Sequence, residues 1–501
     1  MQFVEHSLIK PDTIEFRKYQ ESILNTAIKR NTLAVLPTGL GKTTLAILLT
    51  AHRSEKYPKS KILIMAPTKP LCEQHQKTFQ AFLDIPKEEI ILLTGRISPY
   101  DRAELYKNVK IISATPQTIE NDIRNNTLDL SEFSLLVVDE CHRSVRRYAY
   151  PFVAKAYMEK SKHPRILGLT ASPGSTEEKI KEICKNLFID SVEIRTDSDE
   201  DVKPYIKEIE TEYVKVDLPE NLKIAQESLK RALNKRLDKL KQYNIHVKNK
   251  RELLASQKRI SRQISTNRKP ILFYLISLTV ESIKIWHTLE LLETQSIKAV
   301  KLYLAKVNQK KTRSDKGVLN DPDFIKAISI IEKSEEHPKI KKLQEIIEKE
   351  IENNENVKII VFSHFRDNIH NIFNLLEDIC LPVVLIGQSG EKGLSQKEQI
   401  DVIKDYNAGV FNCLITSPIG EEGLHIPSAD IAIFYDSVPS EIRTIQRRGR
   451  VGRTKLGKII FLITKKTRDE GYYWTSYRRE KKMKTILRRM QNKDKTIEDF
   501  I

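Results

Sequence analysis

The chain reads as an α/β protein: two parallel-sheet domains with a basic helical segment between them. The reading rests on short apolar, β-branched runs that recur, stop and then resume. Early in the chain these runs are Thr32–Leu36, Ile62–Ala66, Ile111–Ser113, Leu135–Val138 and Ile166–Leu169, each followed by small or polar residues. Longer stretches with helical spacing separate them, which is the pattern of buried parallel strands joined by helices. From about Leu218 to His337 strand-like runs and glycines become scarce. Apolar stripes such as Leu229, Leu233, Leu237 and Leu240, set between charged faces, predict helices there. Strand runs resume at Val357–Phe362, Val383–Ile386, Cys413–Ile415, Ile431–Phe434 and Ile459–Leu462. The expected divisions are 1–205 for the first sheet domain, 206–336 for the insert, 337–470 for the second sheet domain and 471–501 for a basic helical tail.

Composition narrows the function classes. At 501 residues the chain exceeds what one hydrophobic core usually serves. Its 40% apolar and 30% charged residues argue against both a disordered and a membrane-spanning protein. The longest apolar run, Ile271–Val280, is about half of the ~20 residues a membrane helix needs. Met1–His6 shows no basic stretch leading into an apolar core, so no secretory signal is read. Cys72, Cys141, Cys184, Cys380 and Cys413 are scattered without CxxC spacing. That argues against a disulfide framework or structural zinc and for a reducing, cytoplasmic setting.

The net charge of +18 asks for a polyanionic partner. Residues 221–270 carry a net +12 and residues 454–501 a net +8, which leaves the remainder almost neutral.

Three segments carry chemistry. Pro37-Thr38-Gly39-Leu40-Gly41-Lys42-Thr43 follows a strand run and precedes the apolar helix beginning at Thr44. Glycines let backbone amides curl around phosphate oxygens, and the helix N-terminus adds a favourable dipole. Lys42 would reach the outer phosphates and the Thr43 hydroxyl would ligate Mg²⁺. Asp139-Glu140-Cys141-His142 closes a strand run, where adjacent acids emerge at the carboxyl edge of a parallel sheet. There Asp139 can hold Mg²⁺ through water and Glu140 can polarise an attacking water. Taken alone, the first segment could be an ordinary turn and the second a capping acid pair. Gln446-Arg447-Arg448-Gly449-Arg450-Val451-Gly452-Arg453 supplies planar bidentate donors of the kind phosphoryl transfer uses, with a generic basic patch as the other reading.

Phosphate loop, acid pair and arginine box stand in the order and spacing of the superfamily 2 helicases, and the chain resembles that family. Weaker segments agree. Arg17 and Gln20 resemble the adenine-reading Q motif, and Leu169–Pro173 resembles the segment coupling hydrolysis to movement. Ala66–Leu71, Thr94–Arg96 and Ala114–Gln117 resemble strand-tracking loops of the first domain. Phe362–Arg366 and Thr416–Leu424 resemble those of the second. Within the family the chain is most similar to the helicase portion of archaeal Hef, related to the Fanconi-anaemia M translocase. The innate-immune RNA-sensor helicases share its acid box and insert position. Leu36 departs from the family's usual small residue, and His425 stands where members usually carry the Asp that contacts the ribose.

The resemblance implies two RecA-like motor domains with ATP and Mg²⁺ between them. It implies nucleotide contacts from Arg17, Gln20, the loop Pro37, Thr38, Gly39, Leu40, Gly41, Lys42, Thr43 and Thr44, then Asp139, Glu140 and Gly423. Gln446, Arg450 and Arg453 would complete catalysis from the second domain. Nucleic acid would be gripped at Pro67, Thr68, Lys69, Gly95, Arg96, Thr115 and Pro116. The basic insert, with Lys230, Arg231, Lys235, Arg236, Arg251 and Arg259, is expected to clamp a duplex arm. The expected activity is an ATP-dependent DNA helicase or translocase on forked or branched DNA. A duplex-RNA-stimulated ATPase and a nucleic-acid scaffold with an inactive motor are the other readings. Hef proteins often carry an XPF-type nuclease after the motor, so a nuclease domain or partner is implied as well.

Overall fold

The computed structural model describes residues 2–498 except 147, 207–208, 310–311, 389–392, 418–428, 438–439, 441–444 and 446–456; over 493–498 only the backbone is described. The early runs, with two strands not read from the sequence (Ile90–Leu93 and Ser191–Ile194), form one parallel sheet of β1 (Thr32–Val35), β2 (Lys61–Met65), β3 (Ile90–Leu93), β4 (Ile111–Ala114), β5 (Phe133–Val138), β6 (Ile166–Thr170) and β7 (Ser191–Ile194), ordered β3-β4-β2-β5-β6-β1-β7. The later runs, with one further strand, form a second parallel sheet. Its strands are β8 (Ile209–Val216), β9 (Ile359–Phe362), β10 (Pro382–Leu385), β11 (Cys413–Thr416), β12 (Ile431–Phe434) and β13 (Gly457–Thr464), ordered β10-β11-β9-β12-β13-β8. The central strands are buried on both faces, which is why they read as continuous apolar runs. The α/β class with two parallel sheets and a helical region between them is as the sequence predicts.

Residues 209–216, which composition places in the helical segment, instead pair in register with β13 along all eight residues. Only one face of this outer strand is partly covered, and polar Glu210, Thr211 and Glu212 interrupt its apolar residues, so the run is inconspicuous.

The insert proper consists of long helices around two small cores. At its base, Leu222, Leu229 and Leu233 pack with Ile285, Leu289 and Leu292. Further out, Leu240 packs with Leu253, Ile260, Leu275 and Leu278, and Leu237 touches both groups. The predicted leucine stripe therefore serves two clusters in succession. The insert is seated on the second sheet by polar contacts. Gln295 Nε2 donates to Asp436 at 3.0 Å, and the Ser296 amide donates to Asn368 Oδ1 at 3.1 Å.

The C-terminal helix, Arg468–Glu498, touches every part of the molecule. Tyr473 sits in the second domain's core, Tyr472 donates to Glu290 of the insert, and Met483, Ile486 and Leu487 pack in the first domain's core. At its start Asp469, fully buried, accepts from the equally buried Lys339 and from the amides of Ser437 and Thr464. Two residues before Lys339, His337 caps the helix Pro338–Asn353 through its Nδ1. Burial, reinforced by the Lys339 charge, lowers its pKa to about 3. The unfolded chain binds a proton near pH 6.5 and the folded chain does not, so this site's stability is complete above pH 6.5 and falls as pH drops towards 3. Urea unfolding at pH 5 should show a loss on the order of 2 kcal/mol relative to pH 7, and His337→Asn, which keeps a capping acceptor, should remove that part of the acid sensitivity.

Candidate nucleotide and nucleic-acid site

In a parallel sheet every strand ends at the same edge, and the candidate residues collect there. The phosphate loop follows β1, the acid pair follows β5 and Thr170–Ser172 follow β6. The expected tracking residues follow β2, β3 and β4. With the strand order above, one half of the edge carries the expected nucleotide residues and the other half the expected tracking ones.

The phosphate loop is shaped for an anion. Gly39 and Gly41 lie at φ +91° and +73°, the left-handed region that glycine enters without strain. Gly41 precedes the helix Lys42–Lys56, whose first turn has neither a side-chain cap nor an acid, so its amides face the loop's hollow. Among the described residues Lys42 Nζ is buried without a hydrogen-bond partner, a cation oriented for a ligand. The Q-motif residues hold this loop from behind: Tyr19 donates to Leu40 O at 2.9 Å and Gln20 Nε2 to the same oxygen at 3.4 Å. A Cβ at Gly41 would lie 2.4 Å from Gln20 Nε2, so any larger residue would push that side chain off Leu40 O. Arg17 donates to Tyr19 at 3.2 Å and lies 4.9 Å above the Tyr205 ring.

The acid pair is fixed by neighbours that the sequence alone did not single out. His75, 64 positions earlier, donates from Nε2 to Asp139 Oδ2 at 2.9 Å, and the Glu140 amide donates to Asp139 Oδ1. Tyr150 donates to Asp139 O at 2.8 Å. Glu140 adopts φ +47°, which turns its side chain out of the strand line. His142 Nδ1 lies 3.1 Å from Glu140 Oε2 and 3.2 Å from Thr170 Oγ1. Thr170 Oγ1 accepts from the Ser172 amide, and Ser172 Oγ lies 3.0 Å from Met483 Sδ on the C-terminal helix. A continuous polar path thus joins the acid pair to the far helix. A Mg²⁺ ion fits this setting: it takes one hydroxyl, one carboxylate and phosphate oxygens rather than a protein cage; Thr43 and Asp139 are the oxygen donors present, while Lys42 offers its charge to the phosphates.

Among the tracking residues, Gly95 and Arg96 are exposed and Pro67, Thr68 and Lys69 are half-buried. Thr115 starts a helix and bonds Thr118, while Pro116 is buried in that helix's first turn and offers no surface. Gly423, Gln446, Arg450 and Arg453 lie outside the described residues, as does His425.

The insert corrects one expectation. Lys230, Arg231, Lys235 and Arg236 do not form one free basic face. Arg236 is buried between Glu281 and Asp321, and both Arg231 and Lys235 bond Asp323. Their acidic partners lie between 45 and 92 positions away, out of reach of any local reading. Among the described residues, cations without an acidic partner are exposed on the helix Lys250–Thr266: Arg251 and Arg259 are open to solvent, and Lys258, Arg259 and Arg262 stand with Gln263 and Thr266 on one open face of that helix.

Comparison with known proteins agrees with this geometry. A family model described as "Type III restriction enzyme, res subunit" matches residues 13–175, and one described as "Helicase conserved C-terminal domain" matches residues 338–455. A third, described as an ATP-dependent RNA helicase helical bundle, matches residues 220–338. A Methanocaldococcus jannaschii protein named as an ATP-dependent RNA helicase is 42% identical, over 97% of this chain and 63% of its own length. The DEAD-box ATP-dependent DNA helicase Fancm of Drosophila melanogaster is 31% identical, over 92% of this chain and 34% of its length. The ATP-dependent DNA helicase fml1 of Schizosaccharomyces pombe is 32% identical, over 91% and 58%. The chain thus spans less than two thirds of these relatives. The crystal structure of the Pyrococcus furiosus Hef helicase domain matches with a TM-score of 0.74 at 40% identity, covering 94% of this chain and 100% of that one. With two parallel sheets, a phosphate loop and acid pair on one edge and a helical insert between, the chain belongs to the superfamily 2 helicases, ATP-dependent enzymes, in the group of Hef and the Fanconi-anaemia M motors.

Proposed function

We propose that the chain is a DNA-stimulated ATPase that remodels forked or branched DNA. The observation that carries this reading is the exposed cationic face of the insert's outer helix, borne by an arm whose base is seated on the second sheet domain. Three cations on one helix face with little aromatic surface suit the phosphates of a duplex arm rather than splayed bases. Relatives named as DNA helicases support DNA as the substrate.

In this reading Lys42 and the uncapped amides of its helix bind the ATP phosphates. Thr43 and Asp139 would hold Mg²⁺, which would supply charge neutralisation at the ATP phosphates. Glu140 orients and polarises the attacking water, while His75 keeps Asp139 in place. Gln446, Arg450 and Arg453 act from the second domain, so hydrolysis requires the domains to close. Closure shifts Thr68, Lys69, Arg96 and Thr115 relative to the second domain's loops and advances the strand. Backbone phosphate contacts make that step indifferent to base sequence.

Replacing Lys258, Arg259 and Arg262 by Glu should weaken fork binding and reduce its salt slope by about 0.9 per lost phosphate contact. Fluorescence anisotropy over a salt series measures both. Unchanged affinity and slope would make that face an ordinary surface. A second reading, a duplex-RNA-stimulated ATPase, is favoured by the relative and the helical-bundle family named for RNA helicases. Steady-state hydrolysis with matched fork, single strand, duplex DNA and duplex RNA at one salt concentration separates the two: strongest stimulation by duplex RNA overturns the DNA reading.

A further inference from the structure

The second basic region of the sequence has no part in the mechanism above. Most of it is the C-terminal helix, which buries Tyr473, Ser476, Glu480 and Met483 and turns the opposite stripe to solvent. On that stripe Trp474 and Tyr477 are each 45% exposed, and so is Tyr213 on the outer strand β8. The rings are not loose. Tyr213 stacks on Phe461 at 5.6 Å and meets Tyr473 edge-on at 5.4 Å, while Tyr473 in turn packs on Trp474 and Tyr477 at 5.2 and 6.4 Å. Trp474 and Tyr477 stand perpendicular, 5.9 Å apart. Along the helix the stripe continues as exposed Arg478, Lys481 and Lys482.

We propose that this stripe is a stacking platform for single-stranded nucleic acid, a contact site separate from the insert's cationic face and from the motor loops. Three half-open rings held by buried aromatics are preorganised to receive flat apolar faces. Every base has such a face, and stacking on it is indifferent to sequence. The cations beside the rings meet the phosphates of the same strand and disfavour a purely apolar protein partner. A duplex keeps its bases stacked on one another and offers only phosphates, so rings and cations together select a single strand. From Trp474 to Lys482 the helix rises about 12 Å, which suits a short stretch of strand. The site goes beyond the fork-remodelling reading and stands without it.

The chain has two tryptophans, Trp286 and Trp474, so the full chain carrying Trp286→Phe leaves Trp474 as the only indole reporter. Titrated with an oligothymidylate of about sixteen nucleotides, its fluorescence should be quenched saturably. A blunt DNA duplex of equal phosphate number should quench it much less. Trp474→Ala with Tyr477→Ala should weaken oligothymidylate binding, read by anisotropy, about 5- to 150-fold per base that loses its ring. Trp474→Phe, which keeps an aromatic face, should retain most of the affinity, and an unchanged melting temperature controls for folding. Absent quenching, equal quenching by the duplex, or unchanged binding in the double variant would each overturn the proposal. Stronger quenching by polyglutamate than by oligothymidylate would overturn it in favour of an acidic protein partner. The fork reading is tested by charge reversal on the insert, so the two proposals fail separately.

Discussion

Glu140→Gln should lower ATP turnover by about 10²–10⁴-fold while nucleotide still binds. The amide matches the carboxylate in size and fits the same left-handed backbone position at φ +47°. It cannot accept a proton or polarise water as an anion does. Phosphate release measures turnover, and a fluorescent ATP analogue measures binding. Lys42→Ala should instead damage both, because the lysine is the buried cation facing the phosphate hollow. Normal hydrolysis in the Glu140 variant would sink the role assigned to it. The neighbouring His142 makes the test sharper: it spans Glu140 and Thr170, so its removal should disturb nucleotide-driven movement as well as rate.

The largest expected effect on stability is at Lys339 and Asp469. Both side chains are fully buried, and Asp469 gathers the Lys339 ammonium with two backbone amides where the C-terminal helix leaves the second sheet. Lys339→Met leaves a carboxylate in an apolar setting, and Asp469→Asn leaves an ammonium there. Either should cost about 3–5 kcal/mol, whereas replacing both by apolar residues of similar volume should cost much less. Urea unfolding of the two single variants and the double variant, followed by far-UV circular dichroism, gives the comparison. Equal losses from all three would show that packing, not charge pairing, dominates at this junction.

The strands buried on both faces were legible, because such strands must be apolar throughout, and so was the edge strand β10. The other three edge strands escaped: β3 although it is apolar, β7 with Glu193 bonded to Arg195, and β8 with its polar Glu210, Thr211 and Glu212. In the site, glycine spacing and paired acids were visible because they are contiguous. His75 was not, since its partner is 64 positions away and a lone histidine in a helix carries no local signal. Arg236 shows the converse error. Its spacing places it on a basic face, but Glu281 and Asp321 draw it inward across the fold.

The C-terminal helix gives the motor a strut. Thirty-one residues at 1.5 Å each make a rod of about 46 Å whose first turns belong to one lobe and whose later turns belong to the other. The chain therefore crosses between the lobes once through the segment before β8 and again along this rod. Two crossings, one of them stiff, leave the lobes few independent rotations, and most of the entropy of bringing them face to face is lost on folding rather than in each catalytic cycle.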